Sequence, residues 1–269
     1  MNYSRWFDPP ARMTEEQKKV IPFETAIRTP FALLRLIETI SKGPLKEIIG
    51  YEELPKNIKS IEFVDKLGEL FDKYGTDKRS NQYHYIYGYI FSVLVPNPRI
   101  LEIGLGSNDP AIYCNMGINY SPGRSLKSFK EFSPQSIVDG ADIDKTISVD
   151  GHRIFHVDQT KPETFSNIIE NGELEYDLII DDGMHSPDSQ LYTLEFALKH
   201  ISNNGYILIE DIYEPNLIIW KIVRHLLSES KYYCNLIKTF PARMKGRAAY
   251  VFICTRNEIG KQLFQNRFN

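Results

Sequence analysis

One run constrains this chain more than any other: Tyr176-Asp177-Leu178-Ile179-Ile180-Asp181-Asp182-Gly183-Met184-His185. Three consecutive aliphatic residues without polar alternation read as a short strand buried on both faces. The strand runs into two adjacent carboxylates, a glycine that lets the backbone turn, and a histidine. Two acids at the end of a buried strand are costly to keep without a cation or hydrogen-bond donors. The run therefore marks a candidate functional site.

Strands and helices alternate around it. Residues 99–103 form an apolar strand that ends in Gly104-Leu105-Gly106. A helix over 123–132 leads to a strand over 136–144 that ends in acids, and a short strand over 153–158 follows. Helices are expected over 164–171, 186–201 and 217–228, with a fifth strand over 205–211 between the last two. Two β-rich runs, 234–240 and 248–255, suggest an antiparallel hairpin. This order predicts an α/β fold: a doubly wound, mostly parallel seven-stranded sheet of the Rossmann-like kind, with an antiparallel C-terminal hairpin. Residues 1–28 are polar and broken by prolines and read as partly irregular. Thr29-Pro30 predicts a helix start, and a second helix is expected over 61–73. Residues 1–73 thus read as an N-terminal helical extension on a main domain over 74–269.

The chain has 269 residues, enough for a full core, with 42% hydrophobic and 25% charged residues. Its net charge of −3 provides no global basic field for nucleic acid. Cys114, Cys234 and Cys254 match no zinc spacing, and an odd, sparse set suits a reducing compartment. No signal peptide or membrane-spanning run is visible, so a cytoplasmic protein is expected.

The Gly104-x-Gly106 turn suits close approach of a ligand to the backbone at a strand end. The third glycine of the dinucleotide fingerprint is absent, since Asn108 and Asp109 follow Ser107. That argues against a bound pyrophosphate and leaves a nucleoside open. Asp142, at the end of the next strand, is placed to accept ribose hydroxyls. Residues 109–122 are too long for a simple turn and read as a lid. If the strands ending at Asp181-Asp182 and Glu210-Asp211 are neighbours, four carboxylates share one small space. They would repel one another unless a cation sat among them. Oxygen ligands favour Mg²⁺, Mn²⁺ or Ca²⁺ over zinc. Asp182, Glu210 and Asp211 are the expected ligands, and Asp181 is expected to turn toward the nucleoside. His185, just past the turn, is placed to act as general base. The other histidines, His84 among them, lack that setting and read as structural or surface residues.

These residues resemble a family. Leu-Glu-Ile-Gly-Leu-Gly at 101–106, Gly-Ala-Asp-Ile-Asp at 140–144, the run at 176–185 and Tyr-Ile-Leu-Ile-Glu-Asp at 206–211 look like successive motifs of class I S-adenosylmethionine-dependent methyltransferases. The Asp-Asp-Gly-x-His and Glu-Asp pair is similar to the metal-dependent sugar O-methyltransferases that act on macrolide deoxysugars and in surface-polysaccharide clusters. Gly-Thr-Asp-Lys at 75–78, followed by His-x-Tyr, also resembles that group. The resemblance spans roughly residues 74–255 and leaves the first 60 residues unplaced. It implies S-adenosylmethionine and Mg²⁺ or Mn²⁺ as cofactors. Gly104 and Gly106, with Glu102 in the same motif, would line the methionine part, and Asp142 with Ile143 the ribose. Asp158 would lie near the adenine, and Ser125, Thr76 and Asp77 near the amino-acid end. Asp182 and Asp211 match metal-ligand positions with Glu210 beside them, and His185 matches the base. The implied partner is a glycan or small-molecule acceptor: a nucleotide sugar, a polysaccharide end or a glycoside. A homo-oligomer is left open. Arg243, Lys245 and Arg247 would suit a phosphate-bearing acceptor, although a solvated turn is preferred for them. Three further readings compete: a metal-free methyltransferase on another oxygen acceptor, a nicotinamide-dependent sugar oxidoreductase, and a non-catalytic nucleoside-binding protein. The oxidoreductase is disfavoured by the missing third glycine and by the absence of a Tyr-x-x-x-Lys pair after the fourth strand.

Overall fold

The aliphatic run at the centre of the sequence lies at the centre of a sheet. The computed structural model describes residues 14–40, 48–112, 115–169, 175–241 and 248–257. Its strands are β1 (Ile49–Gly50), β2 (Arg99–Ile103), β3 (Ile137–Asp142), β4 (Ile154–His156), β5 (Tyr176–Asp181), β6 (Ile201–Tyr213), β7 (Tyr233–Thr239) and β8 (Ala249–Thr255). They form one sheet in the order β1-β7-β8-β6-β5-β2-β3-β4. All pairings are parallel except those of β8, which lies antiparallel between β6 and β7. The expected doubly wound sheet and its C-terminal hairpin are both present. Among the described residues there are eight strands rather than seven because Ile49 and Gly50 add a short parallel edge to β7, opposite Ile237 and Lys238. Two residues are too few to leave a periodic signal.

Two-sided burial follows the residues of β5 one by one. Leu178 and Ile180 join the cluster on one face of the sheet, with Phe71, Tyr87 and Phe129 from α2 (Ile58–Tyr74), α3 (Tyr83–Val93) and α4 (Arg124–Phe132). Ile179 joins the opposite cluster, with Ile168, Leu194 and Trp220 from α5 (Ser166–Ile169), α6 (Pro187–His200) and α7 (Leu217–Ser228). The exposed surface of these aliphatic residues is zero, as a strand sandwiched between helices requires.

The N-terminal reading needs correction. The first helix, α1 (Glu15–Ile40), begins well before Thr29-Pro30 and runs through both. Its start is a reciprocal cap: Gln17 N–H donates to Thr14 Oγ1 at 3.2 Å, and Thr14 N–H to Gln17 Oε1 at 2.9 Å. Thr29 is not an N-cap. Its hydroxyl donates to the carbonyl of Thr25, one turn back. Leu34 and Ile37 of α1 pack against Ile222 of α7. The helix expected over 61–73 starts three residues earlier, capped by Asn57, whose side chain accepts from Ser60 N–H at 2.7 Å.

Candidate active site

The chain order reverses between β2 and β5: β3 and β4 lie to one side, β6 and β8 to the other. Ligands bind at such switch points, outside the carboxyl ends of the strands. Here the two ends are in close register. Ile103 pairs with Asp181, and Asp182 N–H donates to the Ile103 carbonyl at 2.8 Å. Gly104 has φ +94°, and a Cβ on it would lie 2.3 Å from the Asp182 carbonyl oxygen. Only glycine fits, in conformation and in space. A cavity of about 660 Å³ opens at this junction.

The β2–β3 side of the cavity is built largely from backbone. Gly104, Gly106, Ser125, Asp142 and Ile143 line it. Asp142 Oδ2 accepts from Leu105 N–H at 2.7 Å and Oδ1 from Asp144 N–H at 2.9 Å, so the acid itself shapes the glycine turn. Burial pushes the Asp142 carboxyl up, against the pull of these bonds. Asp158 and Asp77 also reach the wall. Burial acts to raise Asp158, but Lys161 Nζ at 2.8 Å and the Thr160 donors hold it below the usual carboxylate range. Tyr120 and Met116 pack over the turn: a Cβ on Gly106 would meet Tyr120 at 2.6 Å and Met116 at 2.9 Å. The Arg124 guanidinium sits 4.4 Å from the Tyr120 ring centre and donates to the Gly75 carbonyl at 2.8 Å.

Three residues expected to touch a cofactor do not line the cavity: Thr76, Glu102 and Asp181. Thr76 Oγ1 accepts from Lys78 N–H within its own turn. Asp181 is fully buried and does not turn outward. Its Oδ2 accepts from Gln159 Nε2 at 2.8 Å, and Gln159 Oε1 accepts from Met184 N–H at 2.9 Å. Asp181 therefore holds Gln159, and Gln159 holds the turn after β5. Gly183 leaves room for this amide: a Cβ there would fall 1.9 Å from Gln159 Oε1 and displace it. The left-handed residue of this turn is His185, at φ +58°.

The β5–β6 side is built from side chains. The two strands are parallel neighbours, as the four-carboxylate argument required. The β6–β8 register shifts between Ile209 and Ile212, so Glu210 and Asp211 occupy a bulge. Asp211 has φ +52°, and a bulge re-aims the side chains it contains. One donor atom each from Asp182, His185 and Asp211 lies within 4.8 Å of the others. An octahedral Mg²⁺ spans about 4.2 Å between opposite ligands, so small shifts would close these three onto one ion. The two carboxylates suit Mg²⁺ or Mn²⁺, whereas imidazole is the ligand of softer ions, so it is the acid pair that fits the expected metal. Two non-glycine residues held in the left-handed region within this trio mark a site whose geometry is imposed by its surroundings. His185 Nε2 lies 3.5 Å from Asp211 Oδ2, and Nδ1 is buried without a hydrogen-bond partner among the described residues. Tyr213 stands edge-on to the His185 ring.

Glu210, expected as a metal ligand, faces elsewhere. Its Oε1 accepts from the Tyr87 hydroxyl at 2.6 Å and its Oε2 from Lys78 Nζ at 2.5 Å. Lys78 also lies 2.8 Å from Asp182 Oδ2 and 3.2 Å from Glu102 Oε1. Glu102 accepts in turn from the Ser125 hydroxyl. Tyr83 donates to Asp211 Oδ1 at 2.6 Å. Burial acts to lower the Lys78 ammonium, yet Asp182 and Glu210 hold it well above its ordinary value, so it stays charged. Burial pushes Glu210 well above the carboxylate range, only partly offset by Lys78. Three acidic side chains, Glu102, Asp182 and Glu210, thus face a single buried ammonium.

Lys78, Tyr83, Tyr87 and Gln159 are site residues that the sequence reading missed. A signal existed for three of them. Lys78 ends the Gly-Thr-Asp-Lys run, and Tyr83 and Tyr87 are four apart on one helix face. Gln159 had none. His84 is structural, as expected: it lies buried at the α2–α3 contact beside Gly68, and burial lowers it to about 4. Arg243, Lys245 and Arg247 lie outside the described residues.

No family model matches the chain. In sequence it is similar to L-olivosyl-oleandolide 3-O-methyltransferase of Streptomyces antibioticus, 31% identical over 117 residues, which are 43% of this chain and 28% of that protein. It is similar also to 8-demethyl-8-(2-methoxy-alpha-L-rhamnosyl)-tetracenomycin-C 3'-O-methyltransferase of Streptomyces olivaceus, 26% identical over 151 residues, 55% of this chain and 37% of that one. The chain thus spans about a third of the length of the curated relatives it matches. Among solved structures, the MycE methyltransferase from the mycinamycin biosynthetic pathway, in complex with Mg and SAH, aligns at 27% identity and a TM-score of 0.45, over 54% of this chain and 39% of that one. The sequence relatives agree with the resemblance to sugar O-methyltransferases read from the motifs.

Proposed function

We propose that this chain is an S-adenosylmethionine-dependent O-methyltransferase that methylates a sugar hydroxyl with the help of a divalent ion. The observation that carries this reading is one cavity with a glycine-turn wall on one side and Asp182, His185 and Asp211 on the other. The glycine turn, Asp142 and Asp158 would hold the nucleoside and amino-acid parts of the cofactor, with Ser125 and Asp77 near its amino-acid end. Asp182 and Asp211 would hold the ion. A divalent ion there lowers the pKa of a coordinated hydroxyl, and a vicinal diol would present two such oxygens. The protein's own tasks are to orient the acceptor oxygen toward the methyl group and to remove its proton. With Nδ1 of His185 buried, Nε2 is the nitrogen left to take that proton, and the Asp211 carboxylate 3.5 Å away stabilises the imidazolium that forms. Met116 and Tyr120 cover the glycine turn at Gly106.

The same geometry favours a second reading, in which His185 is a third metal ligand rather than the base. The acceptor class follows the curated relatives, whose names specify sugar positions. It is read here as a glycoside, a nucleotide-activated sugar or a polysaccharide end. Residues up to 73 are read as a cap on a methyltransferase domain over 74–269, supported by the packing of Leu34 and Ile37 on α7. No helix among the described residues is long and apolar enough to cross a membrane. A cytoplasmic setting is supported by Cys234 and Cys254, which face each other as free thiols. The test is methyl transfer from labelled S-adenosylmethionine to a panel of sugar acceptors, with Mg²⁺ and with chelator. Turnover on a sugar that requires the ion is expected. Full activity in chelator would overturn the metal, and transfer only to non-sugar acceptors would overturn the acceptor class.

A further inference from the structure

One buried side chain of the cavity wall takes part in no step of the reaction. Gln159 lies in the loop after β4, within the run Val157-Asp158-Gln159-Thr160 that lines the cavity. Both hydrogens of its Nε2 meet acceptors, Asp181 Oδ2 and Thr193 Oγ1, each at 2.8 Å. Asp181 and Thr193 have no exposed surface. These two partners orient the amide, so that Oε1 faces Met184 N–H at 2.9 Å. Asp181 Oδ1 takes the preceding N–H, that of Gly183, at 3.2 Å. The residue that follows Met184 is His185, at φ +58°. A non-glycine side chain keeps such a conformation only where its surroundings impose it.

We propose that Gln159 is a positioning residue for the base: it moves no proton itself, and its amide holds the turn that presents His185 to the acceptor. This rests on the reading of His185 as the general base. The loop that bears Gln159 is closed by bonds of its own. Asp158 N–H donates to Thr164 Oγ1, Thr160 N–H to Asp158 Oδ1 and Lys161 N–H to the Asp158 carbonyl. Removal of the amide therefore frees the turn after β5 and leaves Asp158 in place. Gly183 fits the same role, since its missing Cβ is what lets Oε1 reach the turn. Proton removal needs Nε2 at hydrogen-bond distance from the acceptor oxygen, and a misplacement of about 1 Å costs up to about 10²-fold in rate. That loss falls on kcat rather than KM, because the contact matters in the transition state and not in ground-state binding.

The test compares Q159L, T193V and T193S with the wild type. Thr193 does not line the cavity, so no effect of its variants can come from a lost ligand contact, and it guards against misfolding of Q159L. The readouts are the histidine Cε1–H NMR signals at one fixed pH, with that of His185 assigned through His185→Gln, S-adenosylhomocysteine affinity by calorimetry, and kcat and KM for methyl transfer to the best sugar of the acceptor panel. Q159L is expected to shift or broaden the His185 signal and to lose about 10²-fold in kcat. Its KM and its S-adenosylhomocysteine affinity should stay within about threefold of the wild type. T193V should lose about threefold to tenfold in kcat, the worth of one hydrogen bond, and T193S should recover it. An unchanged His185 signal in both Q159L and T193V, with His185→Gln inactive, would overturn the inference and leave the base standing. A loss of S-adenosylhomocysteine affinity of about tenfold or more in Q159L, with the His185 signal unmoved, would make Gln159 a cofactor ligand and overturn it as well. Full turnover in His185→Gln would overturn the base and this inference together.

Discussion

The two walls of the cavity reach the same end, acids fixed at strand termini, by opposite means. On the β2–β3 wall the acid is held by its own neighbourhood: Asp142 takes the backbone N–H groups of Leu105 and Asp144. On the β5–β6 wall the acids are held from a distance. Lys78, Tyr83 and Tyr87 reach Asp182, Asp211 and Glu210 from 104 to 132 residues away in sequence. Conformation divides the same way. Glycines take the positive φ angles of the first wall, whereas His185 and Asp211 take them on the second. A wall built from backbone donors suits a ligand of fixed shape. A wall braced by side chains on another layer can hold charges that would otherwise repel, at the price of depending on that layer.

The largest effect expected from breaking one wall and sparing the other comes from His185→Ala. If His185 is the base, methyl transfer should fall by about 10²- to 10⁴-fold. Binding of S-adenosylhomocysteine and of Mn²⁺, each measured by calorimetry, should stay within a few-fold of the wild type. Loss of Mn²⁺ binding in this variant would make His185 a ligand instead. Retention of full turnover would remove it from the chemistry altogether.

The contrast between the walls also decides what the sequence could reveal. The β5 run, the glycine turn, the acidic end of β3 and the C-terminal hairpin are local patterns, and each was legible. Placing Asp182 opposite Asp211 needed only the assumption that β5 and β6 are neighbours. What stayed hidden depends on tertiary contact. The bulge that turns Asp211 inward appears only in the register with β8. Nothing local announces the Gln159 side chain that meets both Asp181 and Gly183. Glu210, an acid beside Asp211 at a strand end, also meets Lys78 and Tyr87, contacts that nothing local announces. The start of α1 is a different kind of miss. The Thr14-x-x-Gln17 cap is a local signal, but Thr29-Pro30 is a second start signal inside the same helix.

Damage to the first wall should be large in a different currency. Gly104→Ala puts a methyl group 2.3 Å from the Asp182 carbonyl oxygen at a φ of +94°. Adoption of that conformation by alanine costs about 1–3 kcal/mol before any overlap is counted. The β2 and β5 ends must then part, and affinity for S-adenosylhomocysteine should drop by at least about tenfold, with a lowered Tm. A variant with wild-type cofactor affinity would mean that the turn is not the cofactor's seat.

The smallest of the three effects is the sharpest test of the contrast. Tyr83 donates to Asp211 at 2.6 Å, and burial with the adjacent acids pushes its hydroxyl well above its ordinary value, so it remains a donor throughout the working pH range. Tyr83→Phe removes that bond and leaves a carboxylate oxygen, in a residue only 2% exposed, short of a donor. A hydrogen bond to a charged group is worth about 1.5–3 kcal/mol, and its loss lets Asp211 relax from its left-handed conformation. Mn²⁺ affinity should fall by about tenfold, in the range seen when groups that orient metal ligands are removed. Asp142 and the glycine turn share no bond with Tyr83, so S-adenosylhomocysteine affinity should stay within about twofold, as for independent sites. If both affinities fall together, the two walls form one cooperative unit, and the separation between a locally built wall and a remotely braced one does not hold.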